Sequence, residues 1–284
     1  MVQPSPDHRC EWTERADRTA RSGHPHRLAR GAAGDQARKN AAVIVEPPVQ
    51  RLDFLRSRLM DTYERIDRAR AAAGRDDRVA LVVVTKNFPA SDVDLLVELG
   101  VTDVGENRDQ EARAKKQEVH SSALRWHMIG RLQRNKASSV ARWADVVESV
   151  DREALVRPLA DGAARADRSD PLEILIQVNL DPGDRSDRGG APADQVPALA
   201  DAIAARPELR LGGVMAVAPH PDTGIEPLRA FSLLEHVAAD VRAKWPHART
   251  ISAGMTGDLE QAVECGATQV RIGAAILGQR PAVQ

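Results

Sequence analysis

The sequence predicts a parallel (β/α)8 barrel, the TIM-barrel class of α/β folds, and three features carry that expectation. Eight short runs rich in β-branched and aliphatic residues fall at 79–85, 101–105, 125–129, 145–149, 173–179, 211–217, 249–252 and 268–272, and helix-like sequence follows each. Several of these runs are continuously apolar, as expected of parallel strands buried on both faces. The last two lead into small-residue turns, Gly254-Met255-Thr256-Gly257 and Gly273-Ala274-Ala275, where the N–H groups that open a helix stay available to an anion. Eight β/α units in about 210 residues suit a closed barrel. A doubly wound open sheet would want a glycine-rich nucleotide loop after the first strand, and Thr85-Lys86-Asn87-Phe88 is not one.

Taken in order, residues 1–48 differ from everything downstream. They hold three of the eight histidines, many arginines and scattered Pro and Gly, with almost no periodic apolar pattern. That composition buries too little surface to offset chain entropy, so the extension is expected to be disordered. Asp7, Glu11, Glu14 and Asp17 interrupt its basic residues and argue against a mitochondrial targeting peptide. Pro47-Pro48 closes it, and 49–284 is expected to form one barrel domain. A leading helix opens that domain: Leu52, Leu55, Leu59, Tyr63 and Ile66 recur at three- and four-residue spacing, and Gly74 follows as a stop. Downstream, Ser91 reads as an N-cap before Val93, Leu96 and Val97 with Gly100 as the stop, and Asp151 as the cap of a helix carrying Leu155 and Leu159.

The chain has 284 residues, 40 basic and 41 acidic, a balance that asks for neither nucleic acid nor a membrane surface. No apolar run approaches the ~20 residues of a membrane span, and the N-terminus lacks the apolar core of a signal peptide. Cys10 and Cys265 stand far apart, suggesting neither a disulfide framework nor a zinc site. A reducing, cytoplasmic compartment is the expectation.

The chemistry centres on Lys86. Active sites of parallel barrels form where strands end, and Lys86 ends the first strand. A lysine attacks a carbonyl only as the neutral amine, which partial burial favours. With anion-binding turns at the far end of the chain, the pattern points to a phosphorylated cofactor carrying an aldehyde. Thr256 and its turn, preceded by Ser252, can offer hydroxyl and amide groups to the phosphate. Arg271 stands in the otherwise apolar Val270-Arg271-Ile272 and needs an acceptor or counter-ion, for which an acid such as Glu106 would serve. Asn107 and His127 lie where the barrel interior opens. Each has a plainer reading too: a surface lysine, an N-cap threonine, a salt-bridged arginine, a satisfied core histidine.

Longer motifs narrow the choice. Val84-Thr85-Lys86, Gly105-Glu106-Asn107 with Gln110-Glu111, Trp126-His127-Met128-Ile129-Gly130-Arg131-Leu132-Gln133-Arg134-Asn135-Lys136, Ser149-Val150-Asp151, Ile176-Gln177-Val178-Asn179 and Gly212-Gly213-Val214-Met215 occur in order before the two C-terminal motifs. Over residues 50–281 the chain resembles the pyridoxal phosphate homeostasis proteins, single-domain relatives of the alanine racemase N-terminal barrel. The resemblance implies pyridoxal 5′-phosphate held as an aldimine on Lys86, with Asn107, His127, Ser252, Thr256, Arg271, Gly273 and Ala274 around it. The expectation is no metal, a monomer, and a carrier or buffer that releases the cofactor to apo-enzymes or limits its free level. Thr256 replaces the family's usual serine and keeps the hydroxyl. Ala274 replaces a usual threonine and loses one.

The same resemblance separates holding the cofactor from catalysis with it. An arginine facing the pyridine nitrogen does not give up its proton, so the ring is a poor electron sink. Racemases of this fold share that arginine, so the argument limits the chemistry without excluding it. Racemisation also needs acid/base groups on both faces of the substrate carbon. The resembling racemases draw a tyrosine from an added β domain, and the one tyrosine here, Tyr63, sits in the leading helix. The expectation is a non-catalytic carrier, with no catalytic residues to assign. A racemase is the alternative, and a Schiff-base aldolase is disfavoured by a lysine on the first strand.

Overall fold

A computed structural model describes residues 48–121, 123–166, 168–182 and 189–279. The extension through residue 47, with its expected disorder, lies outside the described residues. Helix α1 (Pro48–Ala72) precedes β1 (Ala80–Val84), α2 (Ala90–Glu98), β2 (Asp103–Glu106), α3 (Asp109–Glu118), β3 (Arg125–Met128), α4 (Arg134–Val140) and β4 (Val146–Val150). The second half holds α5 (Val156–Ala164), β5 (Leu172–Gln177), α6 (Val196–Ala204), β6 (Leu209–Met215), α7 (Pro227–Lys244), β7 (Thr250–Ser252), α8 (Leu259–Glu264), β8 (Gln269–Ile272) and α9 (Ala274–Leu277). The strands close in sequence order into a barrel, every pairing parallel, with β8 against β1. The expected (β/α)8 architecture is therefore observed, each strand within a few residues of its predicted run.

Alternation along the strands divides the barrel wall. Val83, Val104, Trp126, Ile174, Ile251 and Val270 belong to the large core beneath the helices. The opposite face looks inward: a Cβ on Gly105 would meet the side chains of Ile129 and Val82 at 3.2 Å. A small apolar cluster of Val146, Leu175 and Met215 fills one side of the interior. The interior also holds a group of polar residues, and these build the site.

Helix α1 starts at Pro48, where a proline's missing N–H costs nothing. Leu55, Leu59 and Ile66 are buried, each contributing about 2 kcal/mol. Tyr63 departs from the expected stripe: Thr62 takes the buried place and Tyr63 is 38% exposed. Arg51 forks onto Asp92 of α2 (3.0 and 2.7 Å) and reaches Leu277 O, so α1 ties α2 to α9. Two predicted caps fall elsewhere. Helix α2 begins at Ala90, placing Ser91 inside it, and Asp151 is followed by a short 3-10 turn before α5 and pairs with Arg152 instead. Gly100 does stop α2, at φ 86°. No helix among the described residues is long and apolar enough to cross a membrane.

Candidate cofactor-binding site

The site lies at the C-terminal end of the barrel, where β1, β2, β7 and β8 stand side by side. Val83 and Val84 align with Val104 and Gly105, and Val82 and Val83 with Arg271 and Ile272. This register sets Lys86, just past β1, beside Asn107, just past β2. Lys86 is partly buried and shares the inward parity of Val82. A Cβ on Gly130 would fall 2.3 Å from the Asn107 carbonyl oxygen, so only glycine lets the strand β3 exit approach so closely. The side-chain oxygen of Asn107 is buried without a hydrogen-bond partner in the structure. Buried polar atoms are nearly always satisfied, so such an atom at a barrel mouth points to a ligand.

The two glycine turns stand on the neighbouring strands. Gly254 has φ 93°, and a Cβ there would come 2.8 Å from Ala262 Cβ. Met255 N donates to Asp258 Oδ1, closing the turn on itself. Thr256 and Gly257 are exposed, and a Cβ on Gly257 would meet nothing within 4 Å. Thr256 O accepts from Arg65 of α1, which also pairs with Glu260. Gly273 backs onto β1, its Cβ position 3.1 Å from Val84 O, and exposed Ala274 opens α9.

Beneath the mouth runs a buried chain of alternating charge. His127 meets Asp103 Oδ1 through Nε2 (2.9 Å) and Glu148 Oε1 through Nδ1 (2.7 Å). Ser252 Oγ donates to Glu148 Oε2 at 2.6 Å, and Gln269 Nε2 donates to both Glu148 and Ser252 at 2.9 Å. Arg271 donates to Ser252 Oγ (2.6 Å) and to Ala216 O (2.8 Å), with Glu148 3.7 Å away. Burial alone would lower the His127 value, yet its hydrogen bonds to the Asp103 and Glu148 carboxylates raise it to about 9. The imidazole is thus a cation at neutral pH. Burial pushes the Glu148 carboxyl up, but His127, Arg271 and Ser252 together hold it below the ordinary range. Burial likewise pulls Arg271 down, against the charges of Glu148 and Asp258. Two anions and two cations alternate, which is how four charges tolerate a barrel interior.

The expected residues therefore separate into two levels. Lys86, Asn107, Thr256, Gly273 and Ala274 stand past the strand ends at the mouth. His127, Ser252 and Arg271 lie below it, with both imidazole nitrogens engaged and the hydroxyl shared among Glu148, Gln269 and Arg271. The counter-ion of Arg271 is Glu148, not Glu106, which faces the helices and pairs with Lys115 at 2.5 Å. Sequence reading passed over Glu148, although a lone acid within Val146-Val147-Glu148-Ser149-Val150 was the available signal. Among the described residues no group of three or more His, Cys, Asp or Glu could hold a metal ion.

Residues 59–281 match the alanine racemase N-terminal domain family. A pyridoxal phosphate homeostasis protein of Corynebacterium glutamicum is 47% identical over 208 residues, covering 72% of this chain and 91% of the relative. This chain belongs to the pyridoxal phosphate homeostasis protein family. Other members so named include one from Mycobacterium tuberculosis, 43% identical over 235 residues (76% of this chain, 89% of the relative). The solved structure of PipY from Synechococcus elongatus with pyridoxal phosphate bound matches with a TM-score of 0.66 at 28% identity. It covers 79% of this chain and all of PipY. Alanine racemase from Corynebacterium glutamicum, at 15% identity and a TM-score of 0.56, shares the fold.

Proposed function

We propose that the protein binds pyridoxal 5′-phosphate covalently through Lys86 and acts as a non-catalytic carrier or buffer of that cofactor. The observation that carries this reading is the meeting of Lys86, the unsatisfied Asn107 oxygen and the network-held Arg271 at one end of the barrel. The names of the relatives and the bound cofactor in PipY support it.

The residues present fit the group. The cofactor supplies an aldehyde that a lysine amine takes up reversibly, and Lys86 is the lysine at the mouth. Asn107 can satisfy its buried oxygen on a donor of the ligand. Arg271 spends two hydrogen bonds on Ser252 and Ala216, leaving N–H groups of its five-donor guanidinium for the ring nitrogen. Glu148 and Ser252 hold that guanidinium charged and oriented, so it donates without releasing a proton. The Thr256 hydroxyl and the N–H groups opening α9 suit a phosphate.

Proton transfer on both faces of a substrate carbon would need a second acid/base group at this mouth. Tyr63, the chain's one tyrosine, is on α1. Burial raises its hydroxyl, and the charges it feels are those of Arg78 and Asp103, which precede β1 and open β2 at the opposite end of the barrel. A cytoplasmic, monomeric protein that passes the cofactor to apo-enzymes completes the proposal.

The experiment is borohydride trapping with peptide mapping, alongside amino-acid turnover assays. Cofactor trapped on Lys86 and lost in Lys86→Ala, without turnover, is the expected result. Trapping on another lysine, such as Lys136, would overturn the site. Turnover of an amino acid would overturn the non-catalytic reading.

A further inference from the structure

We propose that Glu111 and Lys115 of α3 are positioning residues for Lys86, holding the turn that aims it into the barrel mouth. The inference rests on the cofactor reading above. Phe88 N donates to Thr85 O at 3.0 Å, closing a four-residue turn with Lys86 and Asn87 at its centre. Asn87 has φ 65°, the only positive value at a non-glycine position among the described residues. A positive φ at the third residue of such a turn is the type II arrangement, and asparagine tolerates it better than most side chains. The type I alternative, more common in general, flips the central Lys86–Asn87 peptide. That flip would turn the Asn87 N–H to the other side and change ψ at Lys86, on which the rotamers open to its side chain depend.

What selects the observed form is on α3. The Asn87 N–H donates to Glu111 Oε1, a contact that the flipped peptide would forfeit. Lys115 Nζ donates to Thr85 O at 2.8 Å and to Glu106 Oε1 at 2.5 Å, with Glu111 Oε1 3.4 Å away. Thr85 Oγ donates to the same Glu106 oxygen at 2.7 Å. Lys115 is only 5% exposed and Glu106 is fully buried. A helix–strand ion pair that served packing alone could sit anywhere along α3. This one places its polar contacts on Thr85 and Asn87, the residues on either side of Lys86. The cluster thus fixes the backbone before and after the reactive side chain, while Lys86 itself stays at the mouth. Preorganisation of this kind is what a reversible covalent site requires, since a misaimed amine loses the aldehyde but leaves the phosphate seat intact.

That distinction supplies the test. Binding of pyridoxal 5′-phosphate is compared with binding of pyridoxine 5′-phosphate, the alcohol counterpart that cannot react with a lysine, in full-length wild type, Glu111→Ala and Glu111→Gln. Glu111 is partly exposed, its side chain at 25%. The expected result for Glu111→Ala is about a tenfold loss of affinity for the aldehyde, the weight of one charge-assisted hydrogen bond, with affinity for the alcohol unchanged. Glu111→Gln keeps an acceptor for the Asn87 N–H and should recover most of the aldehyde affinity. If Glu111→Ala yields little folded protein, Glu111→Asp, one methylene short of Asn87, carries the same comparison. Equal losses for both probes would make the cluster purely structural and overturn the proposal, as would no loss for either. A wild type that traps no cofactor on Lys86 would instead overturn the underlying cofactor reading, and the positioning role with it.

Discussion

His127 offers the sharpest test of the buried charge chain. Its value in the folded protein is about 9, against an ordinary 6.5 in the unfolded chain. A group raised on folding contributes its full stability below the unfolded value and loses it as pH climbs through the folded one. The interval from 6.5 to about 9, at ~1.4 kcal/mol per pH unit, amounts to about 3 kcal/mol. Glu148 and Asp103 act in the opposite sense. Both are lowered on folding by their hydrogen bonds to His127, against burial, so their contribution fades as pH falls into the carboxylate range. Urea unfolding of cofactor-free protein at several pH values between 6 and 10 measures the first effect, compared with His127→Gln. The variant should be less stable at pH 7 by about 3–5 kcal/mol, the cost of stranding a buried charge. It should also lack the wild type's decline between pH 6.5 and 9. A His127 ring that titrates near 6.5 by NMR, or parallel pH profiles for the two proteins, would refute the charge assignment.

Three further outcomes are expected. Gly130→Ala would drive a Cβ to 2.3 Å from the Asn107 carbonyl, so denaturant melts should show a loss of about 3 kcal/mol and cofactor titration a weakened site. Ala274→Thr restores a hydroxyl at the first residue of α9, and equilibrium titration should show tighter cofactor binding by ~0.5–1.5 kcal/mol. Deleting residues 1–45 should leave the melting temperature and cofactor affinity unchanged, because that stretch offers no periodic apolar face. A drop of several degrees would show that it packs on the barrel.

The barrel was legible because its signal is local. A strand buried on both faces is largely apolar, and β1 and the middle of β5 advertise this in Ala80–Val84 and in Ile174, Leu175 and Ile176. Helix starts were less legible, since caps depend on how the chain leaves the preceding strand. Ser91 lost its predicted role because Pro89 sets the extended backbone (ψ 163°) one residue before α2 begins. Tyr63 was misplaced for a related reason. Thr62, Oγ bonded to Arg58 O, satisfies its own hydroxyl and can turn inward, freeing the bulkier tyrosine to lie outside.

For the candidate site, strand ends were readable and pairings were not. Lys86, Asn107 and Arg271 could be placed by position alone, because a parallel barrel sends every strand's C-terminal end to one mouth. Which acid neutralises Arg271 depends on depth and facing, and these are properties of the closed barrel. Glu106 and Glu148 both stand in buried strands, yet β2 turns Glu106 outward to Lys115 whereas β4 turns Glu148 inward to His127 and Arg271. The irregularity in the β4–β5 register between Val147 and Val150 further breaks simple alternation around Glu148. With either cation missing, a carboxylate so enclosed would lose part of the neutralisation it needs. The consequence is that Arg271 and His127 are coupled through Glu148 across the barrel: an uncharged imidazole would leave Glu148 drawn to the guanidinium alone.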